Sequence, residues 1–358
     1  YFASPILYKD NGFLKEEDAK TFIESIKDCE KAVVKKMEKK VEKKNPPMLF
    51  NLAELQAECS KKFKISPDET LQIAQDLYER KVATYPRTDA RVLSTAVAKE
   101  ITKNIAPLRD FTPVAPYVDR IMKEGRYRGI SNTSYVDDAK VTDHYAIIPT
   151  GHVRELSGLS PLHQQVFELI VKRFLSIFYP PAEYETVKLT IKIDTEKFFV
   201  GTKVLKVPGF LEVAGKANTE EKTDGEKGEN DKAKEEADGK KLLAIANSLN
   251  QGDVISVDGF EIKEGKTSPP KRYTSGSMVL AMENAGQLIE DEELREQIKG
   301  SGIGTSATRA EIIKKLIRIG YLNLNKKTQV LTPERLGEMI FEVVNLTVPQ
   351  LLNPKMSA

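Results

Sequence analysis

The sequence predicts an α+β protein in which helix-forming and strand-forming stretches are segregated along the chain. Three observations carry that reading. Residues 15–29 and 65–81 place apolar side chains at helical spacing. The stretch "TVKLTIKI" alternates strictly, with Val187, Leu189, Ile191 and Ile193 on one face. From Thr274 the chain turns helical again and ends in a helix, short hairpin, helix order. A length of 358 residues suits two or three domains, and 40% hydrophobic with 30% charged residues is ordinary for a globular protein.

The elements follow in order. Ala19, Phe22, Ile23 and Ile26 give residues 15–29 one apolar helix face. In "KAVVKKMEKKVEKKNPP", Val34, Met37 and Val41 also fit a helix, solvated on its other sides, and Pro46-Pro47 closes it at a domain boundary. "ISPDETLQIAQDLYERK" starts a helix firmly: Ser66 caps it, Pro67 suits the first turn, and Glu69 completes a capping box. Ile73, Leu77 and Tyr78 are expected to face the core. That helix must end before Pro86, because proline disfavours helical geometry in the residue preceding it. Further helices fit residues 94–105 and 160–178, the latter opened by Ser160-Pro161. "KFFVGTKVLKV" and "DVISVDGFEI" extend the strand pattern, so that a β-domain covers about 180–268. In the last segment Ile312, Ile313, Leu316 and Ile319 form the apolar stripe, and Thr332-Pro333 is expected to cap the final helix.

Charge and cysteine usage exclude little and locate one feature. The net charge is +2, from 55 basic and 53 acidic residues, so total charge does not announce a polyanionic partner. Residues 216–241 hold seven Lys against nine Asp or Glu and no Val, Ile, Leu or aromatic, and are expected to be a disordered insertion. No apolar run is long enough to span a bilayer, and no signal peptide opens the sequence. Cys29 and Cys59 stand outside any metal-ligand spacing and read as reduced thiols of a cytoplasmic protein.

Three clusters carry candidate chemistry. In "TYPRTDA", Tyr85 sits at the mouth of a turn after a helix, with Arg87 and Asp89 beside it. A phenol is a weak nucleophile at neutral pH and needs a base or a positive charge nearby. A guanidinium two residues away can grip two phosphate oxygens, which suits attack on a phosphodiester. Alone, the pentapeptide is more often a turn tyrosine beside a surface ion pair. The second cluster, "TDHYAIIPT", brings His144, able to exchange a proton or touch a phosphate; His152 and His163 read as structural. In the third, Gly300, Gly302 and Gly304 lead into a helix start with Ser306, Thr308 and Arg309, whose free amides are expected to attract phosphate.

Taken in order and at these separations, "YPRTD", "DHYAIIPT" and "SGIGTSATRAEII" resemble the signatures of the type IA DNA topoisomerases, most like the bacterial topoisomerase III group. "PPMLFNLAELQ" and "KTSPPKRYTSGSMVLAME" resemble two more, and the resemblance covers nearly the whole chain apart from 216–241. It implies that Tyr85 forms a 5′-phosphotyrosine bond, that Arg87 orients the scissile phosphate, and that Asp89 and His144 stand close by. Asn51, Gln56, Gly304, Thr308 and Arg309 would line a groove for single-stranded DNA. Ala90 departs from the small polar residue usual in relatives, which touches one local hydrogen bond.

The fold implied is a toroid: a β-rich arch in two segments, 1–45 and 181–272, around a helical tyrosine domain at 46–180, with 273–358 in a helical, winged-helix-like base. On that reading residues 31–43 form an arch strand, as does "YFASPILYKDNGF", and the resemblance is preferred over the helical spacing. Mg²⁺ is the implied cofactor, with ligands in a Toprim domain that this sequence does not contain; "IEDEELRE" is the nearest acidic run and reads as a solvated helix face. The chain therefore reads as an internal fragment. No ATP is implied, and no Gly-x-x-x-x-Gly-Lys-Ser/Thr loop occurs. The expected protein is a monomer of the bacterial cytoplasm, associated with the nucleoid. A second reading takes the fragment as a single-strand DNA clamp without turnover. A tyrosine recombinase or type IB enzyme would need a dispersed set of basic residues and a 3′-linked intermediate, and that set is not found.

Overall fold

The computed structural model describes residues 13–215, 229–266, 268–288 and 302–352. The expectations for "YFASPILYKDNGF", for residues 216–228, for Gly300 and for "IEDEELRE" fall wholly or almost wholly outside them. The chain divides into two compact units, Tyr1–Pro46 with Pro180–Pro270, and Pro47–Tyr179 with Lys271–Ala358. Mixed helices and antiparallel sheet make it α+β. No described helix is long and apolar enough to cross a membrane.

The first unit is built on a four-stranded antiparallel sheet of β1 (Lys31–Lys44), β2 (Ala182–Ile193), β3 (Glu196–Val207) and β4 (Val254–Ser256), in the order β3-β2-β1-β4. Residues 31–44 are therefore a strand, and the helical spacing of Val34, Met37 and Val41 misleads. A bulge between Val34 and Lys36 shifts the alternation by one residue, and Val34 and Met37 both face the core opposite Ile191 and Leu189. The alternating residues of β2 read from sequence, Val187, Leu189, Ile191 and Ile193, are all buried against Phe198 and Val204 of β3.

Two helices cover that face. The helix Glu16–Ile26 contributes Phe22 and Ile26 to the core. The helix Glu229–Ser248 contributes Leu243 and Ala246. This second helix corrects the expectation of disorder over 216–241, of which residues 229–241 are helical. Composition failed because the window stopped one residue short of Leu242 and Leu243, the apolar anchors that hold the charged turns before them to the sheet.

In the second unit the capping box read from sequence is formed: Ser66 accepts from the Glu69 amide, the Glu69 carboxylate accepts from the Ser66 amide, and Pro67 opens the helix Pro67–Glu79. Ile73 and Leu77 are buried as expected, but Tyr78 is 40% exposed and lies against Tyr85. The helix Leu52–Phe63 crosses the helix Ser275–Glu283 at close range, where a side chain on Gly276 would stand 2.8 Å from the Ala57 backbone. A short hairpin, β5 (Leu322–Leu324) with β6 (Leu331–Pro333), separates the helices Arg309–Arg318 and Arg335–Thr347. Thr332-Pro333 does not cap the last helix. It closes β6, and Glu334 precedes the helix without a side-chain cap.

Leu243 is 4% exposed whereas Ile245 on the same helix is 55% exposed. Leu243→Ala is expected to lower the unfolding free energy by on the order of 3 kcal/mol in denaturant titration. Ile245→Ala should change it by about 0.5 kcal/mol or less.

Candidate active site

The segment after the helix Pro67–Glu79 is sewn to residues 144–149 rather than left as a free loop. Ala83 bridges Pro149, the Thr84 amide donates to the Ile148 carbonyl at 3.0 Å, and the Thr84 hydroxyl donates to the Ala146 carbonyl at 3.0 Å. The Ile148 amide returns a bond to the Thr84 hydroxyl at 2.9 Å. Two residues after Pro86, buried Thr88 donates its hydroxyl to the His144 carbonyl at 2.9 Å. The Ala90 amide donates to that hydroxyl in turn, so the local bond expected to suffer from Ala90 is supplied by the backbone and Thr88. Both "YPRTD" and "DHYAIIPT" thereby become one construction, with Tyr85 and His144 side by side.

Tyr85 is half-buried between two rings. The His144 ring centroid lies 4.4 Å from that of Tyr85 at an interplanar angle of 41°, and Tyr78 meets Tyr85 edge-on at 5.3 Å. Arg87 and His144 are exposed. Hence the phenol is oriented by packing, while a guanidinium and an imidazole stand in solvent near it, free to meet an anion.

Asp89 belongs to a different grouping. Arg309 is only 5% exposed and donates to the Asp89 carboxylate at 3.1 Å and to the Ile303 and Gly304 carbonyls, each at 3.3 Å. The Glu283 carboxylate is 3.7 Å away. Asn51, the N-cap of the helix Leu52–Phe63, accepts from the Glu54 amide and donates to Glu283 at 2.7 Å and to the Asp89 carbonyl at 3.2 Å. Burial pushes the Glu283 carboxyl above its ordinary range, chiefly by desolvation, and Arg309 opposes that rise. Gly302 is required where the Ile303 loop approaches this helix end, since a side chain there would lie 2.6 Å from the Glu283 carbonyl oxygen.

The sequence-named residues therefore separate into two sets. Half-buried Tyr85 packs against exposed His144, and Arg87 is exposed two residues further along the turn. Buried Asn51 and Arg309 join half-buried Glu283 and exposed Asp89 in one network, so Asn51 and Arg309 do not present themselves to a strand. Gln56 is 1% exposed and donates to the Pro67 carbonyl at 3.0 Å, tying two helices together. Thr308 and Gly304 are exposed, the latter with φ of 67°. The helix start they precede offers fewer free amides than expected, because the Thr308 and Arg309 amides both donate to the Thr305 carbonyl and the Thr305 amide to the Thr308 hydroxyl. Sequence reasoning missed Glu283, Thr84 and Thr88. The quoted stretch ending in "MVLAME" contained Glu283, but nothing local distinguishes it from other helix-end carboxylates.

No group of three or more His, Cys, Asp or Glu among the described residues is arranged to hold a metal ion. Asp89 and Glu283 already share the Arg309 guanidinium, so the residues here do not fit a Mg²⁺ site.

A family model described as DNA topoisomerase matches residues 6–358. DNA topoisomerase 3 of Bacillus subtilis is 35% identical over 318 residues, covering 87% of this chain and 41% of that protein. DNA topoisomerase 3 of Bacillus licheniformis is 34% identical over 317 residues, with the same coverage of 87% and 41%. The chain thus spans about two fifths of the length of these relatives. Among solved structures, full-length topoisomerase I from Thermotoga maritima matches with a TM-score of 0.60 at 22% identity, over 94% of this chain and 48% of that one. At that identity the match speaks to the fold.

Arg309→Ala is expected to destabilise the second unit by on the order of 3 kcal/mol, because it leaves two carboxylates facing each other without a cation. The deficit should shrink as pH falls from 7 toward 5. A carboxyl whose folded pKa is raised takes up its proton in the folded state first, so acid removes the unpaired charge of Glu283 and the stability lost at neutral pH returns. Thermal melts of both proteins across that range check the sign.

Proposed function

The chain belongs to the type IA DNA topoisomerase family, and from that premise we propose that it carries the strand-cleaving half of an ATP-independent topoisomerase. The observation that carries this reading is a tyrosine packed against the Tyr78 and His144 rings, with an exposed Arg87 two residues along the same turn. Tyr85 Oη attacks the phosphorus of one DNA strand, the bond to the 3′ oxygen breaks, and a 5′-phosphotyrosine and a free 3′-hydroxyl result. Arg87 holds the non-bridging oxygens as negative charge gathers on them. His144, on the same side as the phenol, exchanges the proton or contacts the phosphate. Religation reverses the attack after another strand has passed, and the phosphotyrosine conserves the energy of the broken bond, so no nucleotide is consumed.

Single-stranded DNA is the proposed substrate, held at Arg87 and the exposed turn around Gly304 and Thr308. Asn51, Gln56 and Arg309 act on the groove from beneath, by fixing the backbone. Mg²⁺ is the proposed metal of the reaction, with no ligand assigned to this chain. A monomer in the bacterial cytoplasm completes the reading. Its non-catalytic alternative, a single-strand clamp, draws support from the exposed Arg87 alone and leaves the packing of Tyr85 against His144 without a purpose.

With the family's acidic metal-binding domain joined to this chain, labelled single-stranded DNA and Mg²⁺ should yield a covalent protein–DNA adduct that survives denaturation. Tyr85→Phe removes only the attacking oxygen and keeps the ring's packing. The adduct should vanish while strand binding stays within about twofold of the parent. An adduct persisting in that variant assigns the chemistry to another residue.

A further inference from the structure

The sheet of the first unit has a second face, opposite the helices, that the reading above does not use. On it stand Lys36 and Lys40 of β1, Lys188 and Lys192 of β2, and Lys197 and Lys203 of β3, one pleat apart from the buried positions. No described helix packs over these residues. Lys36 pairs with Glu38 at 2.5 Å and Lys203 with Glu42 at 2.6 Å, the two carboxylates of β1 on this face. Lys40, Lys188, Lys192 and Lys197 form no ion pair with a described residue, so the face carries an excess of positive charge.

That excess is not inherited from a basic unit. The two segments of the first unit hold 25 lysines against 27 aspartates and glutamates, and all 14 arginines of the chain lie in the second unit. On this face, however, six lysines stand against the two carboxylates Glu38 and Glu42. Lys192 and Lys197 stand directly opposite each other across β2 and β3, an arrangement that disfavours the sheet unless an anion lies over it. Beside them Phe199 is 41% exposed, and Tyr184 holds the Lys203 ammonium 4.8 Å from its ring centroid. Basic side chains around the exposed Phe199 ring and the half-buried Tyr184 ring suit a chain of phosphates with flat bases between them.

We infer that this sheet face is a second binding site for single-stranded DNA, separate from the Tyr85 cluster. Lysines alone, without an arginine fork, meet phosphates as mobile point charges, so the site holds a strand without fixing its register. Phe199 supplies a stacking surface that accepts any base. This inference goes beyond the cleavage proposal and stands whether or not Tyr85 is the nucleophile.

The test measures anisotropy of a short labelled oligothymidylate with the full chain, in an Arg87→Ala background so that the other site contributes least. The combined variant Lys40→Glu, Lys188→Glu, Lys192→Glu, Lys197→Glu should lose affinity on the order of tenfold or more. It should also flatten the dependence of log affinity on log salt by about 3, since each neutralised phosphate contributes about 0.7 for single strands. Phe199→Ala should weaken binding without changing the slope. Lys192→Glu alone is expected to raise the melting temperature, because it replaces a like-charge pair by an opposite one. Should the fourfold reversal fail to fold, the corresponding four Lys→Gln changes must still flatten the slope. Unchanged affinity and slope in a folded variant overturn the site. So does polyglutamate that competes with oligothymidylate at equal charge concentration, which would assign the face to an acidic protein.

Discussion

A buried guanidinium holds the second unit's site together. Arg309 bonds Asp89 at the end of the tyrosine turn, closes the Ile303–Gly304 loop on itself, and faces Glu283 at the end of a helix. Asp89 lies 220 positions from Arg309 in sequence, and no other cation is hydrogen-bonded to either carboxylate among the described residues. Asn51 adds a neutral link, one side chain bonding the Asp89 carbonyl and the Glu283 carboxylate together. A buried charge of this kind contributes little net stability over a well-packed apolar cluster, but removing one partner leaves the others unpaired at high cost. Its value lies in fixing where the turn ends.

With that end fixed, the remaining groups are left to solvent in a set order. Thr84 and Thr88 use their hydroxyls to bind residues 144–148, which sets the His144 ring against Tyr85 without spending either side chain on structure. Arg87 projects from between two anchored residues. The chemistry proposed for the turn depends on this division, in which Thr88 and Asp89 anchor it and Arg87 is left exposed.

The sheet and the capped helix were legible because their signals are local: alternation in β2, and a box of four residues at Ser66–Glu69. The tyrosine, arginine and histidine were singled out through the family resemblance of their motifs, and Tyr85 and His144, 59 positions apart, do pack side by side. Burial was not legible. Asn51, Gln56 and Arg309 are polar residues that a sequence reader sends to a binding groove, and each is spent instead on a cap, a helix tie or an ion-pair centre. Residues 229–241 failed for the converse reason, since a charged segment can be held in a helix by apolar residues lying beyond it. For residues 31–44 the helical spacing misled and the family resemblance pointed to a strand, because the pairing that fixes it is with β2, roughly 150 positions later.

In the proposed reaction the phenol of Tyr85 becomes joined to a 5′ phosphate. A direct test is to trap the covalent complex with the family's metal-binding domain joined to this chain, digest both polymers, and sequence the nucleotide-bearing peptide by mass spectrometry. The expected product is a single peptide containing Tyr85 linked through phosphate to the 5′ carbon of a nucleotide, with a free 3′-hydroxyl on the other DNA end. A nucleotide on Tyr78 or any other residue, or one attached through its 3′ carbon, would contradict the account.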